Sequence, residues 1–133
     1  MQNTEWLEIK ILIAEDNPIN MLLIKNILKN IFPNVFLIAS HNGEEVIEKF
    51  IETKPDLILM DVQMPLLNGI EATKKIRSLE KYTPVPIIAL TAGTLKEERD
   101  LCLASGMNDF VSKPIVKDTL REVILKWFNL YKN

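Results

Sequence analysis

Five polar residues stand directly after short strand-like runs: Glu15 and Asp16 after IKILIA, Asp61 after LILM, Thr91 after PIIAL and Lys113 after DFVS. Three carboxylates gathered within about 5 Å would repel by roughly 3 kcal/mol per pair at an effective dielectric near 20. Such a group either raises a carboxyl pKa or recruits a cation. All-oxygen donors select a hard ion, Mg²⁺ first and Mn²⁺ as its substitute, and such an ion keeps water positions free for a phosphate. Lys113 adds a point charge suited to phosphate oxygens, and the Thr91 hydroxyl can donate to one of them. Asp61, at the end of a wholly apolar run, is placed to attack phosphorus and become an aspartyl phosphate. Cation and lysine would then hold the charge of the transferring group, where catalysis of phosphoryl transfer mostly lies.

The scarce residues narrow the chemistry further. A single cysteine, Cys102, excludes intrachain disulfides and multi-cysteine metal sites, and it reads as a small core residue. A single histidine, His41, excludes poly-histidine metal sites and reads as a solvent-exposed loop residue. The glycines at 43, 69, 93 and 106 are too scattered for a P-loop or a GxGxxG cradle. Sixteen basic against eighteen acidic residues leave a net charge of −2, with no basic face for nucleic acid. The start, MQNTEWLEIK, has neither the basic nor the apolar region of a signal peptide. No stretch approaches the roughly 18 to 20 apolar residues of a membrane span, so a reduced, cytoplasmic setting is expected. One domain over residues 1–133, with 1–7 as a leader, and a monomer are expected.

The elements that must position these groups alternate along the chain. Strands are expected at 9–14, 34–39, 57–60, 86–90 and 109–112, and helices at 18–31, 44–52, 69–79 and 96–104. Asn17 and Pro18 suit the start of the first helix as cap and first residue. In the last helix Leu120, Val123, Ile124, Trp127, Phe128 and Tyr131 recur on one stripe. Five strands alternating with five helices give an α/β domain with a five-stranded parallel sheet, doubly wound, helices covering both faces. Ligands of such sheets bind beyond the C-terminal strand ends, where the five polar residues stand. One aspartate at a strand end is an ordinary turn former or cap. Capping does not account for so many such residues at the ends of four strands.

With these residues in place, the sequence resembles the receiver domain of two-component response regulators. The likeness runs from about Glu8 to Tyr131 and is carried by AEDNPIN (14–20), LILMDVQMPLLNGIEATKKIR (57–77), PIIALTA (86–92) and CLASGMNDFVSKPI (102–115). The resemblance implies the flavodoxin-like fold of the chemotaxis-type receiver and a phosphorylation switch with Asp61 as phosphoacceptor. It implies Mg²⁺ on Glu15, Asp16, Asp61 and the backbone carbonyl of Gln63. Lys113 and Thr91 would contact the phosphoryl group, and Phe110 would be the aromatic whose rotamer follows Thr91. The donor would be a phosphohistidine on a histidine kinase or histidine phosphotransfer domain. Such a domain catalyses only its own phosphorylation and dephosphorylation.

The quoted phrases look most like receivers of hybrid sensor histidine kinases, so a segment of such a kinase, tethered through a membrane-bound parent, is the favoured reading. A stand-alone single-domain regulator is the alternative. On the first helix, Leu23, Ile24, Ile27 and Ile31 share a face expected to pack on the sheet. Ile19 and Leu22 fall away from it and, with Pro114 and Ile115, are expected to dock the domain that carries the phosphohistidine. Gln63 and Gly93 flank the expected path of an attacking water. A haloacid-dehalogenase-type phosphatase would need a second acid two residues after the nucleophile, where Gln63 stands. An interaction module that had lost its chemistry would lack an acid or the lysine, and a flavodoxin-like nucleotide binder would need a phosphate loop.

Overall fold

The computed structural model describes residues 7–64, 68–80, 84–92 and 96–132, the side chains of 129–132 excepted. Its strands are β1 (Lys10–Ala14), β2 (Phe36–Ser40), β3 (Leu57–Asp61), β4 (Ile87–Thr91) and β5 (Asp109–Ser112). They alternate with α1 (Pro18–Ile31), α2 (Gly43–Thr53), α3 (Gly69–Leu79), α4 (Lys96–Ser105) and α5 (Lys117–Lys132). All strands pair in parallel in the order β2-β1-β3-β4-β5. The chain steps outward from β1 to β2 and then returns past β1 to β3. The crevice between β1 and β3 is therefore the topological switch point.

Alternation along each strand splits the core into two layers. Ile11 and Ile13, Leu57 and Leu59, and Ile88 and Leu90 face α1 and α5, where they meet Met21, Ile24, Leu28, Ile124 and Phe128. Leu12, Ile58, Met60, Ile87 and Ala89 face the other way, onto Val46, Ala72, Ile76 and Cys102. Three helices start on asparagine caps. Asn17 Oδ1 accepts from Ile19 and Asn20, Asn42 Oδ1 from Glu45, and Asn68 Oδ1 from Glu71. Gly69 is required where α3 begins. A side chain there would run into the Asp61 carbonyl oxygen and come within 3.0 Å of Met60 Cγ and Val62 Cα. The absence of a Cβ thus lets α3 start directly beneath the end of β3.

Two expectations are corrected. The second strand starts at Phe36 rather than Asn34, because the turn after α1 takes up the Val35 N–H on Phe32, and the ladder begins with Phe36 N–H on Ile9. On α1 the buried stripe is Met21, Ile24, Leu28 and Ile31, with Ile27 partly buried, while Leu23 is about half exposed. Leu23 stands one residue, 100° around the helix, from Ile24, and so turns outward with Ile19 and Leu22. Of the leader expected over 1–7, only Leu7 is described, and it packs against the α1–α5 core. Gly93 and the side chain of Tyr131 lie outside the described residues.

Candidate functional site

The sheet delivers four of the expected groups to one cleft because each stands where a strand stops. Glu15 continues β1 by donating its N–H to the Ser40 carbonyl at 3.0 Å, and Lys113 continues β5 by donating its N–H to the Thr91 carbonyl at 2.7 Å. Asp61 and Thr91 are the last residues of β3 and β4. An open cleft of about 520 Å³ at this edge is lined by Glu15, Asp16, Asp61, Gln63, Thr91 and Lys113. Asn17, Asn20 and Glu98 line it too. Glu98 escaped the sequence reading because an acid in the first turn of a helix ordinarily serves the helix dipole.

The cluster is tight. Lys113 Nζ lies 3.1 Å from Glu15 Oε1 and 3.4 Å from Asp61 Oδ2. One oxygen from each of Glu15, Asp16 and Asp61 falls within 4.8 Å of the others, a grouping that could hold a metal ion. Asp61 and Glu15 are buried, whereas Asp16 is exposed at the mouth. The remaining carboxylate oxygens are held by backbone: Gln63 N–H donates to Asp61 Oδ1 at 3.2 Å, and Asn17 N–H to Glu15 Oε2 at 3.2 Å.

Burial first, and then the charge of Glu15, raise the Asp61 carboxyl from 3.8 to about 6. Glu15 goes the other way. Burial works against its charge, but the Asn17 N–H and the Lys113 ammonium outweigh it and hold the carboxyl below the usual range. Lys113 is likewise opposed by burial, yet Asp61 and Glu15 together raise its ammonium above the usual lysine value. The lysine sits nearer Glu15, so Glu15 keeps its charge and pushes on Asp61. What results is a buried, basic carboxylate beside one cation, with an excess of negative charge that a divalent ion would relieve.

The other predicted residues are not among those lining the cleft. Phe110 is half-buried on the α2–α4 side and does not line the cleft. Ile19 is 78% exposed and Leu22 61%, on the outer face of α1. Pro114 is exposed, whereas Ile115 is partly buried against the core. Cys102 is fully buried and His41 is exposed.

Fold and cleft define a doubly wound α/β domain with an acid–lysine cluster at its switch point. The family model of the response regulator receiver domain matches residues 11–125, and the chain belongs to that family. It is 42% identical over 125 residues to the sensor histidine kinase GacS of Pseudomonas protegens, covering 91% of this chain and 13% of that protein. The receiver domain of sensor histidine kinase PA1611 from Pseudomonas aeruginosa, solved with magnesium coordinated in its active site cleft, has a TM-score of 0.84. It is 35% identical, over 92% of this chain and 99% of that one. The receiver of the Saccharomyces cerevisiae response regulator Ssk1, solved with the histidine phosphotransfer protein Ypd1, has a TM-score of 0.85. It is 34% identical, over 92% of this chain and 90% of that one. The chain is a phosphorelay receiver domain, homologous to receiver segments of hybrid histidine kinases. No helix among the described residues is long and apolar enough to cross a membrane.

Proposed function

We propose that Asp61 accepts a phosphoryl group from a phosphohistidine on a partner protein, in a Mg²⁺-dependent reaction. The observation that carries this is the buried Asp61–Glu15 pair held by Lys113 at the switch point. An Asp61 carboxylate oxygen attacks phosphorus and forms the acyl phosphate. The P–N bond to the imidazole breaks, its electron pair stays on nitrogen, and that nitrogen takes a proton from solvent. A carboxyl raised to about 6 is still mostly ionised at pH 7 and more basic than an exposed aspartate.

The donor set fits a hard divalent ion, since three carboxylates supply oxygens within 4.8 Å of one another. Glu15, Asp16, Asp61 and the Gln63 backbone carbonyl would hold Mg²⁺, or Mn²⁺ in its place, which supplies positive charge to the phosphoryl oxygens. Lys113, already 3.4 Å from Asp61, adds a further charge, and the Thr91 hydroxyl donates to a phosphoryl oxygen. Phosphorylation brings about −1.5 to −2 of charge and three acceptor oxygens beside these two groups. Thr91 is drawn towards the phosphate, Phe110 follows into the space behind it, and the face formed by α4, β5 and α5 changes.

The donor is a histidine phosphotransfer domain or a kinase, a partner of the kind seen with the Ssk1 receiver. Ile19 and Leu22, with Pro114 and Ile115, supply its apolar docking surface. The domain works as the receiver segment of a hybrid sensor histidine kinase, on the cytoplasmic side of a tethered parent and as a monomer within it. It binds no nucleic acid. A stand-alone regulator would carry the same chemistry. Asp61→Asn is expected to abolish labelling by acetyl phosphate and by a phosphohistidine donor, read by incorporated phosphate. Undiminished labelling of the folded variant would move the phosphoacceptor elsewhere.

A further inference from the structure

Arg99 and Phe110 make a contact that none of these roles uses. Arg99 stands in α4, one residue after Glu98, which lines the cleft. Its guanidinium carbon lies 4.4 Å from the centroid of the Phe110 ring. Arg99 Nε is buried with no hydrogen-bond partner among the described residues, and no described residue forms an ion pair with Arg99. The buried Nε, on a side chain that is otherwise partly exposed, takes its compensation from the ring face, to which a planar and weakly hydrated guanidinium is suited.

The ring in turn is tied to Thr91 by the sheet. The β4–β5 register pairs Ala89 with Phe110 and Thr91 with Ser112. Partners in a parallel ladder face the same side, and Ala89 and Thr91 are two residues apart. Phe110 and Thr91 therefore lie on one sheet face as diagonal neighbours. The preceding residue, Asp109, fixes the strand to α5: its carboxylate accepts the Phe110 N–H at 2.8 Å and the Trp127 indole N–H at 2.9 Å.

We propose that Arg99 is a positioning residue that holds the Phe110 ring in its half-exposed place and so biases the domain against its phosphorylated state. This rests on the reading of Asp61 as phosphoacceptor and of Thr91 as the hydroxyl drawn to the phosphate. When the ring follows Thr91 inward it leaves the guanidinium. The contact is made in one state and lost in the other, and only such a difference shifts a two-state equilibrium.

The test uses the whole chain in a Trp6→Phe background, which leaves Trp127 as its one tryptophan. Beryllofluoride is titrated in excess Mg²⁺ as a phosphoryl mimic, and Trp127 emission reports the state of β5. Arg99→Gln is expected to tighten the apparent affinity about two- to fivefold. Arg99→Lys, which keeps a cation over the ring, should stay closer to wild type than to Arg99→Gln. In a Phe110→Leu background the effect of Arg99→Gln should vanish. Unchanged or weakened affinity in Arg99→Gln overturns the proposal, and so does equal tightening without the ring. Asp61→Asn, run alongside, separates the two readings. Beryllofluoride binding by that variant defeats the phosphoacceptor assignment, whereas its loss beside an unmoved Arg99→Gln defeats the Arg99 role alone.

Discussion

At the edge of the sheet where β4 and β5 begin, Arg77 places all five of its N–H donors. Nε and Nη2 reach the Gly106 carbonyl at 2.9 and 2.7 Å, and Nη2 also reaches Asn108 Oδ1 at 2.9 Å. Nη1 reaches Glu80 Oε1 and the Val85 carbonyl, both at 2.8 Å, while Glu80 Oε2 accepts the Val85 N–H at 2.6 Å. At the opposite edge one cation, Lys113, faces three carboxylates, two of them buried. Both edges carry charge taken out of water. Only the first is complete in itself. The Arg77 cluster has a donor for each acceptor and joins α3 to the segments leading into β4 and β5. The Lys113 cluster lacks positive charge, and burial together with that deficit raises the Asp61 carboxyl and leaves the site disposed to take a cation.

The contrast is tested most heavily by Arg77→Met. Its loss leaves Glu80 partly buried without its cation and strands the Gly106 and Val85 carbonyls. We expect about 3 kcal/mol off the free energy of unfolding, read by urea denaturation. Labelling by acetyl phosphate, normalised to folded protein, should be unchanged. A loss below about 1 kcal/mol, or a slowed labelling rate, would erase the distinction between the two edges.

Asp61→Asn should act in the opposite direction on stability. In the metal-free protein the folded state binds the Asp61 proton more tightly than the unfolded chain, with the carboxyl raised from 3.8 to about 6. That contribution is full below about pH 4 and is lost as pH rises through about 6. At pH 7 the difference corresponds to at most about 3 kcal/mol. The variant should therefore be more stable than wild type by about 1 to 3 kcal/mol at pH 7, less because Lys113 loses a partner. The gap should close at pH 4. Added Mg²⁺ should also close it, by binding the folded wild type more tightly than the variant. An Asp61→Asn protein no more stable than wild type at pH 7 would show that the charge deficit carries no energetic strain.

The same contrast explains what could be read from the amino-acid sequence. Glu15, Asp61, Thr91 and Lys113 were legible because each stands at or directly after the residue where an apolar run stops, and a parallel sheet gathers such ends at one edge. Arg77 carries no such mark. Its partners Gly106 and Asn108 lie 29 and 31 residues further on, and only the docking of α3 beneath the strand starts brings them together. Glu98 and Arg99 are equally silent, since the cleft lining of one and the ring contact of the other depend on where α4 packs in the fold. The misplaced Leu23 has a different cause. Residues 19–31 carry apolar side chains on two faces of one helix, so periodicity finds stripes but cannot say which one meets the sheet. The structure settles this with Met21 and Leu28, which the expected face omitted.

That second, outward stripe gives the smallest effect on stability and the narrowest test of the active edge. Leu22 is 61% exposed on α1, so Leu22→Glu should change the free energy of unfolding by less than about 0.5 kcal/mol. It removes no group from the Lys113 cluster, and a small donor such as acetyl phosphate needs no contact with α1. Labelling by acetyl phosphate should therefore hold at the wild-type rate. On the docking surface proposed above, a phosphohistidine carried on a protein approaches Asp61 over this stripe, and a new carboxylate on a desolvated apolar contact would weaken that approach. Transfer from a protein donor should slow by about tenfold or more at subsaturating donor, and less at saturation. Equal slowing with both donors would mean that Leu22 acts through the cleft rather than as a docking contact. The outer face of α1 would then belong to the charged edge and not to the surface beside it.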